Sequence, residues 1–275
     1  MTQTRLRTAL VLAGRRATGD ALARSEGVSH KALLPVNGVA MGIRVLRALS
    51  AMPGFERIAV SCDDSQLVTR LESLMADLRP GLRLEHHPSA RSPAASLGEF
   101  IGCLADGEIA LVTTADHPLL RTEIVRYFVE KALALDADLV AGVVSEREYR
   151  QRFPSGPRTF VRFADEAISG ANLFLVRAPR AVRVAQFWVR LEGVRKRPWR
   201  LVSHFGVATL LRFLTGKLTL ARALAEASRV IGARIETVFL PFAEAALDVD
   251  RPADLAMVQA LVEGAGAVEK VPESS

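Results

Sequence analysis

An α/β fold is what this sequence predicts, a three-layer Rossmann-like sheet that is mixed but mostly parallel and carries a helical insertion. Two features predict it. Short unbroken apolar runs, such as TALVLA at residues 8–13 and EIALVT at 108–113, have the pattern of strands buried on both faces. Amphipathic segments of helical length separate them, and that alternation implies parallel strands joined by helical crossovers.

The elements follow in order. Thr8–Ala13 reads as the first strand, ending at Gly14, and a loop comes after it. Met41–Met52 reads as a helix stopped by Pro53-Gly54, before a strand at Arg57–Ser61. A helix over Ser65–Leu78 leads to a weaker strand near Leu82–Glu85. Next come a helix at Ala94–Leu104, the strongest strand at Glu108–Thr113, a helix at Thr122–Leu135 and a strand at Asp138–Val144. The pattern changes after residue 145. Arg158–Phe163 and Asn172–Val176 look like short strands, and a long helical stretch from Arg180 to about Gly232 forms the insertion, residues 180–234. A last strand, Ile235–Phe239, precedes Leu247–Asp250 and a helix over Pro252–Glu263. Residues 1–263 read as one domain, and 264–275, rich in Gly, Glu and Ser, as a flexible tail.

Composition narrows the function classes. Hydrophobic residues make up 49% of the 275 but aromatics only 6%, so Ala, Leu and Val are expected to build the core. A chain of this length needs no staples to fold. Cys62 and Cys103 have no metal-ligand spacing and sit in apolar stretches, which predicts two small buried hydrophobes in a reducing compartment. The apolar run Ala9–Ala13 is shorter than the ~7–15 residues of a signal-peptide core or the ~20 of a membrane span, so a cytoplasmic protein is expected. A net charge of +6 favours anionic partners: NTPs, sugar phosphates or acidic headgroups. Nucleic-acid binding would add an aromatic-interleaved basic patch or a recognised module, and the sequence has neither.

Three segments carry candidate chemistry. Leu12-Ala13-Gly14-Arg15-Arg16-Ala17-Thr18-Gly19-Asp20 follows the first strand, where a glycine turn lets backbone N–H groups approach a polyphosphate and arginines neutralise it. Thr113 to Leu120 follows the strongest strand and places Asp116 in the crevice where open sheets bind ligands. Leu247-Asp248-Val249-Asp250 brings two more carboxylates just before the last helix. Each has a plainer use. The arginines suit a solvated face, Lys31 a surface position before a strand, and Asp116 or Asp250 a helix cap, although Thr122 is the better cap for its helix. His117 either contacts substrate or fills a turn.

Together with Lys31-Ala32-Leu33-Leu34-Pro35-Val36 and Gly38, these segments resemble the MobA-like NTP transferases and the related sugar-phosphate nucleotidyltransferases, the nucleotide-diphospho-sugar transferase type. Leu12–Gly14 matches their LAG strand end, Asp116-His117-Pro118 their GDxP segment, and Asp248 to Leu255 their terminal NVNTPEDL segment. The resemblance implies a nucleotidyltransferase that moves a nucleoside monophosphate from CTP or GTP to a phosphorylated small molecule and releases pyrophosphate. It implies that Leu12, Ala13, Gly14, Arg16 and Gly19 wrap the triphosphate, with Lys31 and Arg15 neutralising charge. Asp116 and Asp250 would hold Mg2+ or Mn2+, with Asp248 as the alternative second ligand. Ser92, Ala94 and Ser96 would pack against the nucleobase, and His117, Asn172 and Asp248 would face the substrate. The stretch from Gly14 to Lys31 is longer and poorer in glycine than the family pattern, which leaves open whether Arg15, Arg16 or Arg24 meets phosphate.

Two other classes compete. A nucleotide-sugar glycosyltransferase shares such a sheet, but it needs no Gly14 loop followed by a lysine, and its usual DxD would put an Asp where Pro118 stands. A non-catalytic nucleotide-binding regulator would be expected to have lost a metal carboxylate. In the insertion, residues 188–217 mix Trp188, Arg190 and Arg195-Lys196-Arg197 with Leu210, Leu211 and Leu214. That mixture suits peripheral contact with an anionic membrane, and more commonly packing on the sheet or on a second copy in a homodimer.

Overall fold

The computed structural model describes residues 6–15, 20–75, 78–156, 158–191 and 203–268. Arg16, Gly19 and the basic run Arg195–Leu201 lie outside the described residues.

β1 (Thr8–Leu12) opens the chain order, followed by α1 (Ala21–Ser25), whose first N–H groups, those of Leu22 and Ala23, donate to the Asp20 carboxylate. One 3-10 turn, Lys31–Leu33, enters a hairpin of β2 (Pro35–Val36) and β3 (Val39–Ala40). Asn37 and Gly38 both sit at positive φ there, the conformation a two-residue hairpin turn requires. Helices and strands then alternate: α2 (Met41–Ser50), β4 (Arg57–Cys62), α3 (Ser65–Leu74), β5 (Arg83–Pro88), α4 (Pro93–Gly102), β6 (Ile109–Thr114), α5 (Thr122–Leu133) and β7 (Leu139–Ser145). Beyond them come α6 (Glu146–Arg152), β8 (Val161–Arg162), β9 (Ala167–Arg177), α7 (Val182–Leu191), α8 (Val207–Leu214), α9 (Leu220–Ile231), β10 (Ile235–Phe239) and α10 (Pro252–Val268).

The sheet runs β10-β7-β9-β6-β1-β4-β5, with β8 paired to β9. Every neighbouring pair along that path is parallel except the two made by β9, which runs antiparallel between β6 and β7. Alternation of side chains along β1 feeds two cores. Ala9 and Val11 pack with α2, α3 and α5 through residues such as Leu46, Leu71 and Phe128, while Leu10 packs on the opposite face with Phe100, Ile101 and Val184 from α4 and α7. Each fully buried side chain of this size contributes about 1.5–3 kcal/mol. At the amino end of the strands, Thr8, Arg57 and Glu108 interlock: Thr8 Oγ1 donates to Glu108 (2.9 Å), and Arg57 donates to Thr8 (3.0 Å) and Glu108 (3.1 Å). The clamp fixes β1, β4 and β6 in register, so their carboxyl ends finish together at the opposite rim.

Several expectations are corrected. The predicted helix to Leu78 ends at Leu74. Asn172–Val176 is the middle of an eleven-residue antiparallel strand, and Arg158–Phe163 contributes only the two residues of β8. Among the described residues the long helical stretch is divided into α7, α8 and α9, and the last helix continues past Glu263 to Val268. Thr122 does not cap α5: it is the first helical residue, and its hydroxyl donates to Ala48 O. Cys62 is buried, but Cys103, at the end of α4, is exposed. Among the described residues no helix is long and apolar enough to cross a membrane.

Candidate functional site

The strands end at one rim, and backbone hydrogen bonds carry the chain past it in an ordered way. Ala13 N–H donates to Ser61 O (2.8 Å), Ala115 N–H to Leu12 O (3.0 Å) and Ser89 N–H to Cys62 O (3.0 Å). Gly14 lies so close to the loop after β5 that an added Cβ would stand 3.2 Å from Ser89 Cβ, a tight contact that glycine avoids.

Three distant segments meet at this rim. Val249 N–H donates to Asp116 O (2.9 Å), stapling the loop before α10 to the end of β6. A small apolar cluster, including Leu34, Val36, Met41, Val249 and Leu255, fixes the Lys31 turn against that loop. As a result Lys31 Nζ lies 2.8 Å from Asp116 Oδ2 and 2.7 Å from Asp250 Oδ1. Burial alone would lower the Lys31 pKa, but attraction to Asp116 and Asp250 outweighs it and leaves the ammonium above its ordinary value. Asp250 faces Lys31, and at the helix start the Asp254 carboxylate accepts from the Asp250 and Arg251 N–H groups.

Asp248 is differently engaged. Arg158 donates through Nη1 to Asp248 (2.5 Å), through Nε to Ser169 Oγ (2.7 Å) and through Nη2 to Gly170 O (3.1 Å). Asn172 Nδ2 donates to the second Asp248 oxygen at 3.2 Å. Asn172 sits at φ 50 where the β7–β9 register shifts between Ala141 and Val143, and that bulge turns it toward Asp248. Of the two candidate second carboxylates, Asp250 joins Asp116 and Lys31, while Asp248 joins Arg158 and Asn172.

The remaining expected residues stand around this centre. Arg15 is paired with Asp63 at the end of β4 (Nε–Oδ2, 2.7 Å) and reaches Ser29 O at 3.4 Å. That hydrogen bond raises the Arg15 pKa and, against partial burial, holds the Asp63 carboxyl below its usual range. Ser92 caps α4 by accepting from Ala95 N–H, Ala94 lies in its first turn, and Ser96, buried, accepts from Ala90 N–H, so both serine hydroxyls shape the loop beside Gly14. His117 is 1% exposed, with the Glu244 backbone beside it, and neither ring nitrogen completes a hydrogen bond. Burial pushes its pKa below the ordinary value.

Neither His30 nor Arg158 was singled out by the sequence as a site residue. His30 is 5% exposed, and its Nδ1 accepts from Ala32 N–H, which caps the turn that begins with Lys31. A histidine preceding a lysine turn has no sequence signature of this kind, and Arg158 meets Asp248 across 90 residues of sequence.

Buried polar atoms without a protein partner gather at this end of the sheet: Thr113 and Thr114 Oγ1, Ser61 Oγ, Asp116 Oδ1 and His30 Nε2. Such groups are costly to leave unpaired in a core, and their concentration here sets this end of the sheet apart from the rest of the core. Asp116 Oδ1 in particular fits a cation, with Asp250 beside it. Among the described residues no three His, Cys, Asp or Glu groups cluster closely enough to enclose a metal by themselves. An open cleft of about 590 Å3 between α4 and α7, edged by Arg91, Glu99, Gln186 and Arg190, includes none of these residues.

Comparisons with known proteins bear on the fold and the family. No curated protein matches. Among solved structures, a hypothetical transferase from Thermus thermophilus is 31% identical, covers 91% of this chain and 99% of its own, and superposes with a TM-score of 0.72. A 4-diphosphocytidyl-2C-methyl-D-erythritol synthase from Anaerococcus prevotii DSM 20548 is 10% identical over 94% of this chain and 97% of its own, with a TM-score of 0.55. CMP:2-keto-3-deoxy-manno-octonic acid synthetase, complexed with CTP, is 18% identical over 94% and 99%, with a TM-score of 0.54. The last two share the fold. The model of the MobA-like NTP transferase domain matches residues 9–177, more than half of the sequence, and the chain belongs to that family.

Proposed function

We propose that the protein transfers a nucleoside monophosphate from an NTP, CTP or GTP foremost, to the phosphate of a small acceptor such as a sugar, polyol or amino-alcohol phosphate. The observation that carries this reading is the Lys31 ammonium set between Asp116 and Asp250 at the carboxyl rim of the sheet, with Asp116 Oδ1 buried and unpartnered. An acceptor phosphate oxygen attacks the α-phosphorus in line. Its O–P bond forms as the bond from the α-phosphorus to the α–β bridging oxygen breaks, and the electron pair leaves with pyrophosphate. No protein nucleophile is required.

The chain's own residues position and neutralise. Lys31, kept charged by its two carboxylates, donates to the phosphates as negative charge builds on the leaving group. Arg15 reaches phosphate by exchanging Asp63 for it, beside the backbone of Ala13 and Gly14. Asp116 and Asp250 are the residues that would hold Mg2+ or Mn2+, whose preference for hard oxygen ligands their carboxylates meet. Such an ion, when bound, neutralises phosphate oxygens. His117, Asn172 and Asp248 face the acceptor side.

Pyrophosphate release from each of the four NTPs against a panel of phosphorylated acceptors tests the reading, with Asp116→Ala as the control. Turnover with one donor–acceptor pair, lost in the variant, is the expected result. If no pair turns over and Asp116→Ala binds magnesium–NTP as well as the parent does, the reading fails.

A further inference from the structure

Positive charge is distributed very unevenly along this chain. Residues 180–234 hold twelve Lys and Arg against two acidic residues, a net of +10, so the rest of the chain nets −4 of the total +6. The segment lies beyond the matched residues 9–177. Its charge does not serve the rim, where Lys31, Arg15 and Arg158 supply the cations and each is already paired with a carboxylate.

Several apolar residues of the same segment point outward. On α8, Val207, Leu211 and Leu214 are 73%, 56% and 62% exposed, at the i, i+4, i+7 spacing of one helix face, whereas the buried residue of that helix is Thr209. No acidic residue lies on α8; Arg212 is in its last turn and Lys217 follows, exposed. Trp188 on α7 is 44% exposed, and Phe187 meets Phe205 with 5.4 Å between ring centroids, which ties the start of α8 to α7. A helix folded only for its own core would present the opposite arrangement.

We propose that this face docks the protein on an anionic lipid surface, with Val207, Leu211 and Leu214 entering the acyl boundary while the surrounding cations meet the headgroups. Charge selects this occupant over the others. A second copy joined through the same patch would set two strongly basic faces against each other. Nucleic acid would satisfy the cations but leave the leucines in water. The proposal is independent of the transfer reaction, so its failure leaves that reading untouched.

Co-sedimentation of the full chain with phosphatidylcholine vesicles, with and without phosphatidylglycerol, tests it. Binding is expected to be at least about tenfold tighter to the anionic vesicles, and to weaken as salt is raised. The double variant Leu211→Ser/Leu214→Ser is expected to bind at least about tenfold more weakly with an unchanged Tm and unchanged NTP binding. Arg212→Glu/Lys217→Glu, on the same surface, is expected to lose the preference for phosphatidylglycerol. Equal binding to both vesicle types, or anionic binding that ignores both double variants, overturns the proposal. So does a DNA duplex bound more tightly than anionic vesicles and equally by parent and Leu variant, or a parent dimer that the Leu variant converts to monomer.

Discussion

Asp248 and Asp250 show what a sequence can and cannot settle about a single side chain. In an extended segment, residues two apart point to the same side, so the motif alone offers both as metal ligands. Their partners decide. Arg158 and Asn172 occupy Asp248, and Lys31 bridges Asp250 to Asp116. Magnesium is therefore expected to raise the Tm of the parent, and Asp116→Asn or Asp250→Asn to remove that rise. Asp248→Asn is expected to keep the magnesium response but to lower the Tm, with a stability loss of about 1–3 kcal/mol, because the Arg158 guanidinium loses its charged partner. Thermal melts with and without magnesium check all three; a response that survives Asp250→Asn and vanishes in Asp248→Asn would exchange their roles. His30 acts one step further back, through the turn that carries Lys31. An asparagine there can replace Nδ1 as the acceptor for Ala32 N–H, whereas leucine cannot. His30→Asn is thus expected to retain turnover and His30→Leu to lose about fivefold in kcat with little change in KM, since a cap is worth about 1 kcal/mol. Equal activity in the two would mean that the cap does not position Lys31.

The strands found easily in the sequence were the ones buried on both faces: β1, β4, β6 and β7 each hold an unbroken apolar run of at least three residues. The first half of β9 was hidden because only its second half, read as a strand, is continuously apolar, and its direction was hidden because that depends on the route by which the chain returns to the sheet, which no local pattern encodes. Its bulge was equally invisible. Asn172 reads as an ordinary polar strand residue until its left-handed backbone is seen. The breaks in the predicted long helix, by contrast, were written in glycines at positive φ: Gly206 before α8, Gly216 after it, and Gly232 closing α9. The bulge gives a clean separation of backbone from side chain. Asn172→Gly fits the same φ and is expected to leave the stability within about 1 kcal/mol while losing the hydrogen bond to Asp248 and with it acceptor affinity. Asn172→Val is expected to cost about 1–3 kcal/mol in stability, because a β-branched residue is strained in that conformation. Chemical denaturation of the two variants checks the ordering, and a valine variant as stable as the glycine one would mean the bulge can relax.

The convergence of Lys31, Asp116 and Asp250 depends on the arrangement of the entire sheet, and the motifs announced it only as a resemblance; the clamp of Thr8, Arg57 and Glu108 at the far end is what brings the strand ends level. Building a polar rim onto a buried sheet has a consequence for how the molecule responds to acid. His30, His87 and His117 all lie near that rim, and burial pushes the pKa of each below the ordinary 6.5. Below pH 6.5 the unfolded chain takes up protons that the folded chain refuses, so stability rises with pH in that window and falls as the solution is acidified through it. The loss ends once pH drops beneath the depressed folded values, where both states are protonated. Asp63 and Glu108 behave in the opposite sense of charge but the same direction. Their carboxyls are held below the ordinary 3.8 and 4.5 despite partial burial, through Arg15 for Asp63 and through the Ala105 N–H, Thr8 and Arg57 for Glu108, so their stabilisation is complete above those values and disappears only in stronger acid. Acid unfolding is therefore expected in two stages, a first loss beginning near pH 6.5 and a second beginning near 4.5. Urea midpoints measured across this range in the ligand-free protein check the prediction. His30→Asn, which cannot titrate but keeps the cap, is expected to flatten the first stage and leave the second unchanged; a parent midpoint that stays level from pH 7 to 5 would show that these histidines accept protons without cost in the folded state.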